Sequence, residues 1–237
     1  MKFPPDIFGS TIVALGSFNP VIFTPQWLCD LGLIGKDDRD AAVEGEDGFV
    51  VSRQVTAFST DWFGLQVNEQ QFTLASNAAL SPAFFDLAQS IFSQVPHTPV
   101  TAIGLNFMGH YPLQSEARYH QFGDALAPKG FWHSAFPGDR AAGLAELQIV
   151  IEQGKRGEVI NSKDRVTVQV QKSSKVKLGI FLSLNDHRAN AFDSQMKAAN
   201  AQTAALVLGE SWEAAWKESE RAFEALLDGA LIEPEPA

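Results

Sequence analysis

Cysteine is almost missing from this chain. Cys29 is the one thiol among 237 residues, so no internal disulfide can form and the fold does not depend on an oxidising compartment. Basic charge is also scarce, with 18 Lys and Arg against 28 Asp and Glu and a formal net charge of -10. A general nucleic-acid binder displaces counterions with Lys and Arg, so that class is not expected here. Proline and glycine number 12 and 18, too few for a collagen-like or low-complexity chain, while 18 Phe supply apolar surface to offset the chain entropy lost on folding. No apolar run approaches the roughly 20 residues that a membrane helix needs. Near the start, Pro4, Pro5 and Asp6 precede only the short apolar stretch 12–15, which is too short and too acidic in its flank for a signal peptide. These absences lead to the expectation of an acidic, globular, cytoplasmic protein with no membrane contact.

Periodicity then supplies elements. Thr24 as N-cap, Pro25 at the first helical position and Gly32 as the stop predict a short helix with Trp27, Leu28 and Leu31 on its buried stripe. Residues 36–47 carry six acids against Lys36 and Arg39 and read as a solvated loop. Phe63, Leu65 and Val67 alternate with Gly64 and Gln66, giving a strand separated from a looser one by the turn Ser59-Thr60-Asp61, and Phe72 and Leu74 continue as a third. Ser81-Pro82 opens a helix capped by the Ser hydroxyl, with Phe84, Leu87, Ala88, Ile91, Phe92 and Val95 at spacings of three and four. Residues 100–111 form a strand with Ile103, Leu105, Phe107 and Tyr111 on one face and Asn106, Met108 and His110 on the other. Ser115 caps a helix bearing Tyr119, Phe122 and Leu126, and residues 127–143 read as a long loop.

The second half alternates in three runs: Leu147, Ile149 and Ile151; Val166, Val168 and Val170; and Leu178, Ile180, Leu182 and Leu184. Short polar turns, at 153–157 and 172–175, cannot return a chain parallel, so the runs predict an antiparallel meander. A final helix over about 199–230, broken near Gly209, carries Trp212, Trp216, Phe223, Leu226 and Leu227, and is expected to lay its two Trp on the meander's apolar face. The tail 233–237 is expected to fray. The fold class is therefore α+β: antiparallel sheet with helices packed mainly on one face, in two similar halves. Residues 1–127 are the N-terminal half, 128–143 a connecting loop, and 144–237 the meander plus long helix, all in one intimate unit.

Three segments carry a resemblance. Asp61-Trp62-Phe63-Gly64-Leu65-Gln66-Val67 with Phe72, Val100-Thr101-Ala102-Ile103-Gly104-Leu105-Asn106, and Phe181-Leu182-Ser183-Leu184-Asn185-Asp186 followed by Glu220-Arg221-Ala222-Phe223-Glu224 are similar to segments of a sporadically distributed family of uncharacterised bacterial proteins of about this length. The resemblance implies an α+β fold and no established activity. Such patchily distributed families are associated with mobile-element and anti-phage gene clusters.

Few residues suggest chemistry. The five His (97, 110, 120, 133, 187) form no His-x-His or His-Glu-x-x-His spacing, so no metal and no cofactor are expected. Neither phosphate-binding glycine motif occurs, and no Ser has a Gly-x-Ser-x-Gly setting. The candidate ligand-binding residues are Asn106 and His110, on the polar side of their strand, and Asn185, Asp186, His187 and Arg188 at a strand end. Period two puts Asp186 and His187 on opposite faces, so Asp186 is expected to pair with Arg188. Lys155, Arg156, Lys163 and Arg165 are the candidate partner-binding residues, in a basic stretch that either meets an anionic surface or discourages strand pairing between molecules. The functional expectation is a non-enzymatic binding or assembly protein acting through a protein partner or self-association. The alternative is a small-molecule enzyme or sensor with its pocket on the polar sheet face.

Overall fold

The computed structural model describes residues 2–45, 48–152, 163–193 and 198–231. In chain order its elements are β1 (Ile7–Gly16), α1 (Pro25–Asp30), α2 (Lys36–Glu44), β2 (Val50–Val51), β3 (Val55–Ser59), β4 (Phe63–Asn68), β5 (Gln71–Ser76), α3 (Pro82–Gln94), β6 (Val100–Pro112), α4 (Glu116–Leu126), α5 (Lys129–Ala135), β7 (Glu146–Ile151), β8 (Arg165–Lys172), β9 (Gly179–Arg188) and α6 (Ala201–Leu231). The strands form one sheet in the order β2-β3-β4-β5-β1-β6-β9-β8-β7, and every neighbouring pair is antiparallel. This is an α+β fold.

Alternation decides which side of the sheet is covered. Ile12 and Ala14 of β1, Phe58 of β3, Phe63, Leu65 and Val67 of β4, Phe72 and Leu74 of β5 and Ile103, Leu105 and Phe107 of β6 are buried in one cluster with residues of α1, α2, α3 and the first half of α6. Val168, Val170, Ile180, Leu182 and Leu184 of the meander are buried in a second, with Phe122 of α4 and with Phe223, Leu227 and Ala230 of α6. All these strand positions share one face, because side chains alternate with period two. The helices are stacked on that face, and the other is left bare.

Several local expectations are met. Thr24 Oγ1 accepts the Trp27 N–H at 3.1 Å and Ser115 Oγ accepts the Arg118 N–H at 3.2 Å. Gly32, with φ of 69°, stands just past α1, in a conformation that a Cβ would strain. Ser81 is the N-cap of α3, but its hydroxyl makes no capping bond. Leu31 is exposed rather than on the buried stripe of α1.

Other expectations are corrected. The acidic segment after Gly35 is helix α2, because Asp37 and Asp38 lie in its first turn, where the helix dipole favours negative charge. Asp38 also accepts the Gly35 N–H and, at 2.9 Å, the indole N–H of Trp62, and Ala42 is buried against the core. Within the 127–143 stretch lies the short helix α5. Residues 7–16, from which the pattern yields only a short apolar run, form β1, at the middle of the sheet. Helix α6 runs through Gly209 without a break. Its Trp residues do not cover the meander: Trp212 packs on Phe84, Phe85 and Phe107 with ring centroids 5.1–5.9 Å away, and Phe223, Leu227 and Ala230 take the meander instead. The turn at 153–157 and the tail at 233–237 lie outside the described residues.

Candidate functional site

Pairing of β6 with β9 brings the separate sequence candidates together. Asn106 stands opposite Asn185, Gly104 opposite His187 and His110 opposite Phe181. The Leu113 N–H donates to the Leu178 carbonyl at the end of this ladder, so odd positions of β6 carry the hydrogen-bonded pairs. Asn106 with Asn185 is then a non-hydrogen-bonded pair, the kind whose side chains lie closest. These side chains all point to the bare face, whereas Asp186 and Arg188 point to the helix-covered one. As period two requires, Asp186 is buried and accepts from the Arg188 guanidinium at 2.7 and 3.1 Å. The six candidate ligand-binding residues therefore divide four and two between opposite sides of the sheet.

Gly104 gives this face a notch. A Cβ there would lie 3.5 Å from Asn185 Oδ1 and 3.7 Å from Asn106 Nδ2, so the two amides draw in over the position where Gly104 has no side chain. Asn106 Nδ2 donates to the Thr11 carbonyl of β1 at 2.9 Å, which fixes that amide. Asn185 Oδ1 is buried without a hydrogen-bond partner. Burial and the nearby Arg165 push the His187 pKa down, against the opposing pull of Asp164 and Asp186.

His110 lies four residues from Asn106 along the strand, about 13 Å away, and has a partner that the sequence reading missed. Its Nδ1 is 2.8 Å from Ser173 Oγ. Because Ser173 Oγ already accepts the Lys175 and Val176 N–H groups at 3.1 and 2.8 Å, its proton is directed to His110, which is neutral with its own proton on Nε2. Burial first, and then Lys175, lower the His110 pKa, consistent with that state. The only cue in the sequence was a Ser in the polar turn 172–175. Ser173 is buried and fixed by two backbone donors, so its role is to lock a turn, and a nucleophile would need to be free.

Across the remaining strands the bare face presents Ser59, Gly64, Ala75, Thr11, Asn106, Asn185 and Thr167 in one row and Ala57, Gln66, Thr73, Val13, Gly104, His187 and Arg165 in the next. Among its described strand positions only Arg165 and Glu146 carry formal charge. A shallow depression of about 310 Å³ lies over the first of these strands, floored by Ala57, Gly64 and Ala75. Of the basic candidates, Arg165 is exposed on this face opposite His187, Lys163 is paired with Asp193, and Lys155 and Arg156 lie outside the described residues. Among the described residues no three His, Cys, Asp or Glu side chains are grouped to hold a metal ion, and no helix is long and apolar enough to cross a membrane. What the arrangement offers is hydrogen-bond recognition over a broad, nearly neutral surface. No protein-family model matches the chain, and no curated protein matches it.

Proposed function

We propose that this chain is a non-enzymatic binding or assembly protein that engages a protein partner through the bare face of its sheet. The observation that carries this reading is the one-sidedness of the fold: nine strands wide, helices on one side, and on the other a nearly uncharged array of amides, hydroxyls and small residues interspersed with apolar ones such as Val13, Met108 and Phe181. Such a face suits a protein surface, whose backbone and side-chain polar groups can be matched by Asn, Gln, Ser and Thr with little charge to desolvate. Nucleic acid fits it poorly, since among the described residues Arg165 is its sole cationic strand residue besides two histidines whose pKa values are lowered. A cytoplasmic location, and a place in a bacterial mobile-element or anti-phage system, are part of the proposal and rest on the composition and on the resemblance of the three segments described above.

The test is retention of a partner by a tagged chain, compared with face variants. Thr73→Arg and Ser183→Arg place charge on the face at half-buried positions of β5 and β9. Each should weaken retention by more than about tenfold while leaving the melting temperature nearly unchanged. Arg165→Glu, at the rim, should mainly slow association. Retention that is indifferent to all three variants, or that consists of nucleic acid, would overturn the reading.

A further inference from the structure

The outer edge of the meander is β7, a strand whose described residues carry few of the usual protections. From Leu147 to Ile151, β7 contains no charge and no proline, and Gln148, Ile149, Val150 and Ile151 are all exposed. The opposite edge of the sheet, β2, is only two residues long. Natural edge strands are blunted by Lys, Pro, bulges or brevity, because unpaired N–H and C=O groups otherwise recruit another strand.

The groups available at this edge can be assigned. The Ser173 N–H donates to the Gly179 carbonyl at the end of the β8–β9 ladder, so odd residues of β8 bond to β9 and even ones to β7. In β7 this commits residues 147, 149 and 151, opposite Val170, Val168 and Val166, to β8. The backbone groups of Glu146, Gln148 and Val150 then point outward. Among the described residues nothing pairs with them.

We propose that β7 pairs antiparallel with β7 of a second copy of this chain, across a twofold axis at Gln148. Opposed residues must share a face, so the axis passes through a residue and not between two, and the residues nearest the middle of β7 are 148 and 149. A centre at 149 would set Glu146 opposite Glu152, a like-charge pair that destabilises the ladder. A centre at 148 sets Gln148 against Gln148 and Glu146 against Val150, uses only the outward-pointing groups, and lays Leu147 against Ile149 on the helix side.

A second feature makes the edge self-complementary. Helix α5 and the residue following it expose Phe131, Trp132 and Phe136. Trp132 and Phe136 line a depression with residues 141–143 of the loop that leads on to β7, and the same loop walls a second one with Phe122 of α4 and Val170, opposite Leu147, so this aromatic group lies toward the N-terminal end of β7. At the C-terminal end Ile149 and Ile151 face the helix side uncovered, 47% and 53% exposed. Antiparallel pairing brings each end beside the other, so the aromatic-bearing approach to β7 of one copy comes next to the isoleucine end of its partner. This edge adjoins the bare face, but the face variants above lie on β5, β8 and β9 and the paired Lys variants below on the helix side of β7, so failure of one proposal is distinguishable from failure of the other.

Light scattering of the unchanged chain should give twice the mass of one chain. Ile149→Lys with Ile151→Lys, both at exposed positions, should yield a monomer with an unchanged melting temperature, and Leu206→Lys, exposed on α6, should remain dimeric. In a Cys29→Ser background, mild oxidation of Gln148→Cys should cross-link two copies, whereas Val150→Cys, which faces Glu146 in this register, should not. A monomer at all concentrations, a dimer that survives the paired Lys substitutions, or cross-linking at 150 in place of 148 would overturn the proposal.

Discussion

His110 shows how one residue couples the bare face to the pH of the solution. Its Nδ1 accepts from Ser173, whose oxygen also holds two N–H groups of the following turn, so protonation would leave two donors facing each other. Its folded pKa lies below the ordinary value of about 6.5, as does that of His187. The folded state therefore binds fewer protons than the unfolded state just below that value. The resulting stability is fully present above about pH 6.5 and is lost as the pH falls through the folded pKa values. Urea midpoints should be flat above neutrality and decline on acidification, and His110→Gln should flatten that decline; an unaltered slope would remove His110 as a cause. At this scale period two made the Asp186–Arg188 pair legible in the sequence. The Ser173 partnership was not, because it joins residues 63 positions apart across a register that only the folded sheet defines.

Helices show where local patterning suffices and where tertiary context overrides it. The 3.6-residue period of α3 gave its buried face correctly, with Phe84, Leu87, Ala88, Ile91 and Phe92 all inside. Acid-rich α2 defeated a reading by charge, since its acids are stabilised by their position at a helix N-terminus and by Trp62 from another element. The stripe of α6 was legible, but not its targets. A helix of 31 residues is about 46 Å long, so one stripe serves two different clusters along its length. Trp212 is the wedge in the first, in contact with the rings of Phe84, Phe85, Phe107 and Trp216. Trp212→Ala should cost about 3–5 kcal/mol of unfolding free energy, measured by denaturant titration, and a loss below about 1 kcal/mol would show that the site collapses around the missing ring.

For the molecule as a whole, β1 and β6 form a seam, with β5, β4, β3 and β2 on one side and β9, β8 and β7 on the other. Each side runs from a central strand through two helices and a meander to a packing helix, with β2 extra on the first. The meander was readable because each strand kept strict alternation between polar turns. The seam was not, because nothing in residues 7–16 signals that they pair with residues nearly a hundred positions on. Since α6 belongs to both clusters, unfolding should be one cooperative transition. Tryptophan fluorescence, which reports mainly the first cluster through Trp27, Trp62, Trp212 and Trp216, should coincide with far-ultraviolet circular dichroism, and resolved midpoints would show that the sides melt separately.

That shared helix also orders events during synthesis. Every strand leaves the ribosome before α6 does, so for as long as translation of residues 201–231 lags, the parts of both clusters that α6 covers stay open to water. Until its last helix is made, the nascent chain keeps apolar surface of both clusters exposed, a state prone to aggregation.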